Sequence, residues 1–360
     1  MQPRPAPASP LPLYLAAAYT LLVIYASLHP FSGWRDTGAS PADFLFAAWP
    51  RYWTVFDLFT NLLAYLPLGF IWVPTLQPRH GAWRAVVLAS LLGACLSLSL
   101  ETLQNFLPTR VASNVDLGCN GLGALLGALA GTRWGTALLD GGRLHAWRMR
   151  LIGKGAMADA GLVLLGLWLL TQLNPEILLF GNGDLRGLLS EAGLQAPLPY
   201  VAEQFPWVEA GVTATNTLAL GLLFGCLLRR DKYRYLLPPG LIVAALLVKS
   251  CSLMLLKSTA GLSWATPGSL AGLAAGLLLW LAATSLPRPL RQALAALSLL
   301  LATALVNLAP ENPYLTAILQ VWQQGHFLNF NGLTRLTSSL WPFLVLPWLM
   351  LLRQEGKENA

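Results

Sequence analysis

Ten runs of apolar residues, each about 17 to 23 residues long, follow one another along this chain of 360 residues. A helix of that length crosses roughly 30 Å of hydrocarbon, and a lipid surrounding requires the backbone polar groups to pair within the segment. The sequence therefore predicts an all-α, polytopic transmembrane helical bundle of about ten spans. The predicted spans are residues 12–29, 55–74, 83–100, 117–135, 157–173, 208–228, 236–256, 266–285, 290–307 and 336–352.

The charged residues are few and unevenly placed. Only 11% of the residues are charged, while 55% are hydrophobic, which is outside the balance of soluble domains. Of the 23 Lys and Arg residues, sixteen lie in connections on one side of the arrangement, six lie on the other side, and Lys249 lies inside a span. Because positive charge collects in cytoplasmic loops, we expect both termini to be cytoplasmic. The net charge of +7 is then explained by the orientation of the chain in the membrane and by contact with anionic lipid headgroups. No nucleic-acid partner is expected.

A basic connection at residues 136–156 separates the first four predicted spans from the next six. We therefore predict a four-span domain at 1–135, a cytoplasmic linker at 136–156, a six-span domain at 157–352 and a cytoplasmic tail at 353–360. The segment Thr60-Asn61-Leu62-Leu63-Ala64 is echoed by Thr215-Asn216-Thr217-Leu218-Ala219. The second domain is either a degenerate repeat of the first or similar to it by chance.

Metal and cofactor sites are not indicated by the sequence. The four histidines are scattered, without the spacing that a metal-ligand set requires, and no Gly-rich phosphate loop is present. We therefore expect no metal and no cofactor. A series of glycines in the fourth span has the three- and four-residue spacing that lets membrane helices approach closely. These glycines are Gly118, Gly121, Gly123, Gly127 and Gly131.

Ionisable and amide side chains are concentrated at one end of spans two to four. A charge inside a membrane costs several kcal/mol unless it is paired or wetted, so such residues mark a candidate site. In the predicted topology they all lie on the non-cytoplasmic side, where we expect them to form one outward-facing pocket. They are Asp57, Asn61 and Tyr65 in span two, Glu101 and Gln104 at the end of span three, Arg110 in the connection, and Asp116 and Asn120 in span four.

Each charged residue of this group has both a chemical and a structural interpretation. The carboxylates are candidate catalytic acids or bases, and Arg110 is a candidate partner for an anionic group. Alternatively, Arg110 forms an ion pair with Glu101 or Asp116 that fixes span three against span four. Asp57 also suits the first turn of a helix, where the macrodipole favours a carboxylate. The sequence alone leaves these alternatives open.

A second polar segment, Gly325-His326-Phe327-Leu328-Asn329-Phe330-Asn331-Gly332, precedes the last predicted span. Its Asn-Gly and aromatic residues are typical of an ordered turn at the membrane interface. The alternative is that His326, Asn329 and Asn331 contribute to the external pocket as ligand-binding residues. Lys249, which lies inside a predicted span, is interpreted as a snorkelling lysine or as the partner of a nearby carbonyl.

The polar residues of spans two to four belong to a longer pattern. It runs from Asp57-Leu-Phe-Thr-Asn61 through Tyr65-Leu-Pro67-Leu-Gly69, Glu101-Thr-Leu-Gln104 and Pro108-Thr-Arg110 to Asp116-Leu-Gly-Cys-Asn120-Gly121-Leu-Gly123. In order and spacing this pattern resembles the VanZ-like family over about residues 12–135. The resemblance implies a multi-pass protein of the bacterial inner (cytoplasmic) membrane. The family is named for a member linked to low-level teicoplanin resistance, and membership implies no particular reaction.

Three functions are compatible with these observations. The leading hypothesis is a protein that binds or handles a lipid-linked cell-envelope precursor, a lipid or glycan, at the outer face. The resemblance also carries an implied link to glycopeptide tolerance, although the long C-terminal extension is a departure from the short resistance-associated members. The alternatives are a membrane-embedded hydrolase or transferase acting on an amphiphile, with Asp57, Glu101 or Asp116 as acid or base, and a transporter. On the sequence alone the three functions stay open, and so does the oligomeric state.

Overall fold

The computed structural model describes residues 9–36, 38, 40–48, 54–135, 137–193, 199–256, 260–310, 312–313 and 328–358. Over these ranges the chain is helical and forms no strand; one isolated bridge joins Ile152 and Leu228. The chain divides into two compact units, Met1–Arg150 and Leu151–Ala360. The all-α prediction is therefore confirmed.

The long helices follow the apolar runs of the sequence, and each predicted span overlaps one of them. The first unit contains α1 (Leu11–Leu28), α2 (Val55–His80), α3 (Ala82–Gln104), α4 (Asn114–Ala130) and most of α5 (Arg143–Leu151). The second unit contains α6 (Ala156–Thr171), α7 (Arg186–Glu191), α8 (Phe205–Leu227), α9 (Leu237–Leu256), α10 (Pro267–Ala283), α11 (Arg288–Leu308) and α12 (Leu328–Glu358).

Seven helices in the described parts of the chain are long and apolar enough to cross a membrane. The number rises to eight if the bent pair Asn114–Gly135 and Ala137–Leu151 forms one span. The predicted spans at 157–173 and 266–285 coincide with the shorter apolar helices α6 and α10, of 16 and 17 residues. The total of ten spans and the orientation of the chain stay predictions.

Close packing of α2 against α4 organises the first unit. A Cβ atom added at Gly123 would overlap the carbonyl oxygen of Leu62, and one added at Gly127 would overlap that of Leu66. Glycine is thus required where the two backbones meet. The helix α1 joins this pair through the Tyr19 hydroxyl, which donates to the Ala64 carbonyl at 2.8 Å.

The five glycines of α4 and the residues that follow it do not all serve this packing. Gly131, like Gly123 and Gly127, lies against the α2 backbone. In contrast, a Cβ at Gly118 or Gly121 would meet no atom of the described chain within 4 Å. The sequence interpretation of these two as packing residues is therefore wrong, because they lie on the other side of the helix.

The second unit contains a comparable helix pair. Gly272 and Gly276 of α10 lie against the backbone of α8 at Ala210 and Ala214. A separate contact is made by α12, whose Trp341 indole donates to the Leu164 carbonyl of α6 at 2.8 Å. The indole N–H satisfies a backbone carbonyl in an apolar interior. The glycines allow the two helix backbones to approach closely.

Candidate functional site

The N-terminus of α2 is fixed by a reciprocal pair of hydrogen bonds. The Thr54 hydroxyl accepts the backbone N–H of Asp57 at 3.1 Å, and the Asp57 carboxylate accepts the Thr54 N–H at 3.0 Å. This is a capping box, which satisfies donors that the first helical turn leaves unpaired. The structure thus gives Asp57 the helix-terminal position that the sequence offered as one alternative, and it leaves this side chain half-buried.

The start of α4 brings a second aspartate to the same place. The Asp116 carboxylate is half-buried, lies beside the Asn61 side chain, and is within electrostatic reach of Asp57. These three residues, called the aspartate cluster below, come from two helices and are brought together by the packing of α2 on α4. Cys119, one turn further along α4, also lies within electrostatic reach of Asp116.

Glu101 has a different environment, although it belongs to the same group in the sequence. Its side chain is only 4% exposed, and its carboxylate accepts the backbone N–H of Ser113 at 2.9 Å. The Ser113 hydroxyl in turn accepts the N–H groups of Val115 and Asp116, so Ser113 is the N-cap of α4. Sequence reasoning missed Ser113, although Ser and Asp three residues apart before an apolar run resemble a helix start.

A buried polar layer lies beneath the aspartate cluster. The Asn120 amide donates to the Ser97 hydroxyl at 2.9 Å, and both side chains are buried. Tyr65 is also buried and lies beside Ser97 and within electrostatic reach of Glu101. The Asn120 side-chain oxygen has no hydrogen-bond partner within the described structure. Ser97 was missed from the sequence, where its position one turn before Glu101 was the available signal.

Arg110 and Gln104 attach this region to the end of α1. The Arg110 guanidinium donates to the carbonyls of His29 at 2.5 Å and Ala26 at 3.5 Å. The Gln104 amide donates to the Ser27 carbonyl at 2.9 Å. Burial lowers the pKa of Arg110 from its ordinary value. Both residues therefore bind carbonyl groups at the C-terminal end of α1, where a helix leaves such acceptors unpaired.

The three residues predicted near the last span belong to the second unit of the chain. His326 lies outside the described residues, and of Asn329 only the backbone, in α12, is described. Asn331 is buried within the second unit, where its amide lies 3.5 Å from the carboxylate of Glu176. Their contribution to a binding pocket stays a prediction.

The second unit contains a polar interior of its own. The Lys249 ammonium is buried and donates to the carbonyls of Asn174 at 2.5 Å and Ile177 at 3.3 Å. Ser252 donates from the same helix to the Leu173 carbonyl at 2.7 Å. Pairing with carbonyls was one of the two sequence interpretations of Lys249. These donors satisfy backbone acceptors where α6 has ended and the chain is still buried.

The two units share one further arrangement. Glu209 of α8 is buried beside Thr266, the N-cap of α10, whose hydroxyl accepts the Ser269 N–H at 3.1 Å. In the first unit Glu101 likewise lies beside the N-cap of the helix with the packing glycines, Ser113 of α4, and accepts its backbone N–H. The recurrence is what a duplication would produce, and the internal repeat stays a prediction.

Within the described residues no group of three or more His, Cys, Asp or Glu side chains is placed to hold a metal ion. The aspartate cluster itself presents two carboxylates and an amide, which accept hydrogen bonds and attract cations.

The family model described as VanZ/LLP1 matches residues 13–134, which include the aspartate cluster, Glu101, Arg110 and Asn120. The N-terminal unit is a VanZ-like domain. Together with the apolar helices of the second unit, the VanZ-like domain makes this chain a multi-pass membrane protein. No curated protein and no solved structure matches the chain.

Proposed function

We propose that the VanZ-like domain binds the polar headgroup of a cell-envelope amphiphile, such as a lipid-linked glycan precursor, at the aspartate cluster. The observation that carries the proposal is the convergence of Asp57, Asn61 and Asp116 at the starts of two packed helices. Two carboxylates and an amide accept hydrogen bonds from hydroxyl and ammonium groups. The ligand chemistry that fits best is therefore a hydroxyl-rich or amine-bearing headgroup.

The surrounding polar residues support the cluster. Glu101 accepts the N–H of the α4 N-cap, and Arg110 donates to carbonyls of α1. Both groups are committed to bonds that fix the geometry of the helix ends. This arrangement favours binding over acid–base catalysis at Glu101, since a buried carboxylate holding a backbone N–H is a positioning group.

The lipid part of such a ligand has a matching surface. Phe56, Phe59 and Leu63 of α2 are 51%, 61% and 55% exposed, on the same helix as Asp57 and Asn61. An acyl or prenyl chain lying along this surface would place its headgroup next to the aspartate cluster. With the predicted topology, the site faces the outer side of a bacterial inner membrane.

Mass spectrometry of the lipids that co-purify with the protein tests the proposal. The wild type is compared with Asp116→Asn, which removes a charge but retains a hydrogen-bonding amide. The matched control is Asp36→Asn, because Asp36 is an exposed carboxylate of the same unit that accepts the N–H of Gly38. All three proteins are first shown to have the same melting temperature.

We expect a specific envelope amphiphile to be retained by the wild type and by Asp36→Asn. Its amount should fall about tenfold in Asp116→Asn, the change that follows from losing one charge-assisted hydrogen bond. Identical lipid profiles in the three proteins would contradict the proposal.

A further inference from the structure

A cavity of about 430 Å³ lies in the second unit, where the end of α8, the connection after it and the start of α11 meet. Its volume falls in the range of about 300–1,000 Å³ that is usual for small-ligand sites. The residues that line it are Gly225, Cys226, Leu228, Arg229, Arg234, Ser285, Leu286, Pro287, Arg288 and Arg291. Four of these ten residues are arginines, and none is acidic.

The four arginines surround the cavity at different depths. Arg291 is only 7% exposed, Arg234 is half-buried, and Arg229 and Arg288 are exposed at the opening. Arg291 and Arg288 both lie within electrostatic reach of the buried Cys226. Arg288 also donates to the Cys226 carbonyl at 3.4 Å. The cavity therefore has a positively charged base as well as a positively charged opening.

The predicted orientation of the chain explains why arginines lie on this side of the membrane. It does not explain why four of them line the same cavity. Lysine and arginine side chains at a membrane surface ordinarily extend outwards to lipid headgroups and water. Here the Arg291 side chain is buried, and three further guanidinium groups share one cavity with it. Several guanidinium groups that line one cavity can bind the oxygens of a single anion together. The planar guanidinium group is also the side chain best matched to phosphate oxygens.

We propose that this arginine cavity is a binding site for a phosphate group. The phosphate belongs either to the headgroup of an anionic lipid or to a free phosphate compound, since both present the same oxygens. In the predicted topology all four arginines belong to the cytoplasmic set, the side on which anionic lipid headgroups are abundant. The arginine cavity belongs to the second unit and is positively charged, whereas the aspartate cluster belongs to the first unit and is negatively charged.

The experiment uses the full-length protein in nanodiscs and two probes. In the first arm the discs contain only phosphatidylcholine, and inorganic phosphate is titrated against chloride at constant ionic strength while the melting temperature is recorded. In the second arm the discs contain a small fraction of phosphatidylglycerol, and native mass spectrometry counts the molecules of that lipid retained by the protein.

The variant Arg229→Gln/Arg288→Gln removes two exposed charges that line the cavity. Its control, Arg230→Gln/Lys232→Gln, removes two exposed charges from the same surface that do not line it. Both variants have the same net charge, so a general surface effect would be equal in the two. Melting temperatures without either probe establish that both fold as the wild type does.

We expect at least one probe to bind the wild type and the control, and to bind the lining variant about tenfold more weakly. A response to inorganic phosphate identifies a free phosphate compound as a sufficient ligand. A response to phosphatidylglycerol alone identifies the ligand as a lipid headgroup. Binding that is absent in both arms, or reduced equally in the two double variants, would overturn the proposal.

Discussion

The carboxylate of Glu101 accepts the backbone N–H of Ser113 at 2.9 Å, and this bond joins the end of α3 to the N-cap of α4. Asp116 lies in the helical turn that Ser113 caps. The position of the aspartate cluster therefore depends on a buried glutamate that does not belong to it. We therefore expect Glu101 to support the cluster by positioning α4, and not to contact the ligand itself.

Replacing Glu101 tests the supporting role. We expect Glu101→Ala to lower the free energy of unfolding by about 1–3 kcal/mol, because the half-buried Ser113 loses the acceptor of its backbone N–H. Glu101→Gln retains an acceptor oxygen and should cost less. Reversible unfolding in mixed micelles measures both. Equal stability of the Ala variant and the wild type would show that this bond does not hold α4.

The buried pair of Ser97 and Asn120 is expected to be energetically coupled. The two single Ala variants and the double variant form a mutant cycle, and we expect a coupling energy of about 1 kcal/mol, typical of hydrogen bonds between membrane helices. The measurement is again the free energy of unfolding in micelles. Strictly additive effects would mean that the 2.9 Å contact contributes nothing to stability.

Two glycines of α4 form a matched test of helix packing. Gly127→Ala places a Cβ against the Leu66 carbonyl, and we expect a loss of about 1–3 kcal/mol from overpacking. Gly121→Ala adds a Cβ where the described structure leaves open space, and the better helix propensity of alanine should make it neutral or stabilising by up to about 1 kcal/mol. Thermal unfolding of the two variants compares them directly. Equal effects would contradict the close approach of α2 and α4.

The pair Asp184 and Arg186 predicts a pH dependence in the second unit. Burial by itself would raise the pKa of Asp184, but the hydrogen bonds and charge of Arg186, 2.6 Å away, hold it below its ordinary value. Because the pKa is lower in the folded protein, the stabilisation is fully present above the unfolded value of about 3.9 and is lost as the pH falls through the folded value.

We therefore expect Asp184→Asn to be less stable than the wild type by about 1 kcal/mol at pH 7. The difference should shrink once the pH falls below about 4. Melting temperatures of both proteins across this range provide the measurement. A difference that grows on acidification would have the wrong sign for this pair.

The helices could be predicted from the sequence because every membrane span must by itself be a long apolar segment. The polar residues that the sequence groups together lie near the start of α2, the end of α3 and the start of α4. Their division into an accessible aspartate cluster and a buried supporting layer depends on the rotation of each helix about its axis. That rotation places Ser97 opposite Asn120, and an apolar span has too little amphipathic pattern to predict it.

The glycines illustrate the same limit. Spacing alone could not separate Gly123 and Gly127, which contact α2, from Gly118 and Gly121, which do not. The arginine cavity was also not predicted, because Arg229 and Arg291 are far apart in sequence and were interpreted only through their membrane side. Convergence of separate segments is a property of the tertiary structure.

Cys119 provides the most direct test of the proposed headgroup site, since it is a native thiol within electrostatic reach of Asp116. The rate of its alkylation by a membrane-permeant thiol reagent is measured by peptide mass spectrometry in nanodiscs. Discs made from total bacterial envelope lipids are compared with discs of pure phosphatidylcholine, and the exposed Cys95 of α3 is the internal control.

We predict slower alkylation of Cys119 in the envelope lipids, no change at Cys95, and no difference at either thiol in Asp116→Asn. Equal rates at Cys119 in the two lipid environments would contradict a ligand at the aspartate cluster.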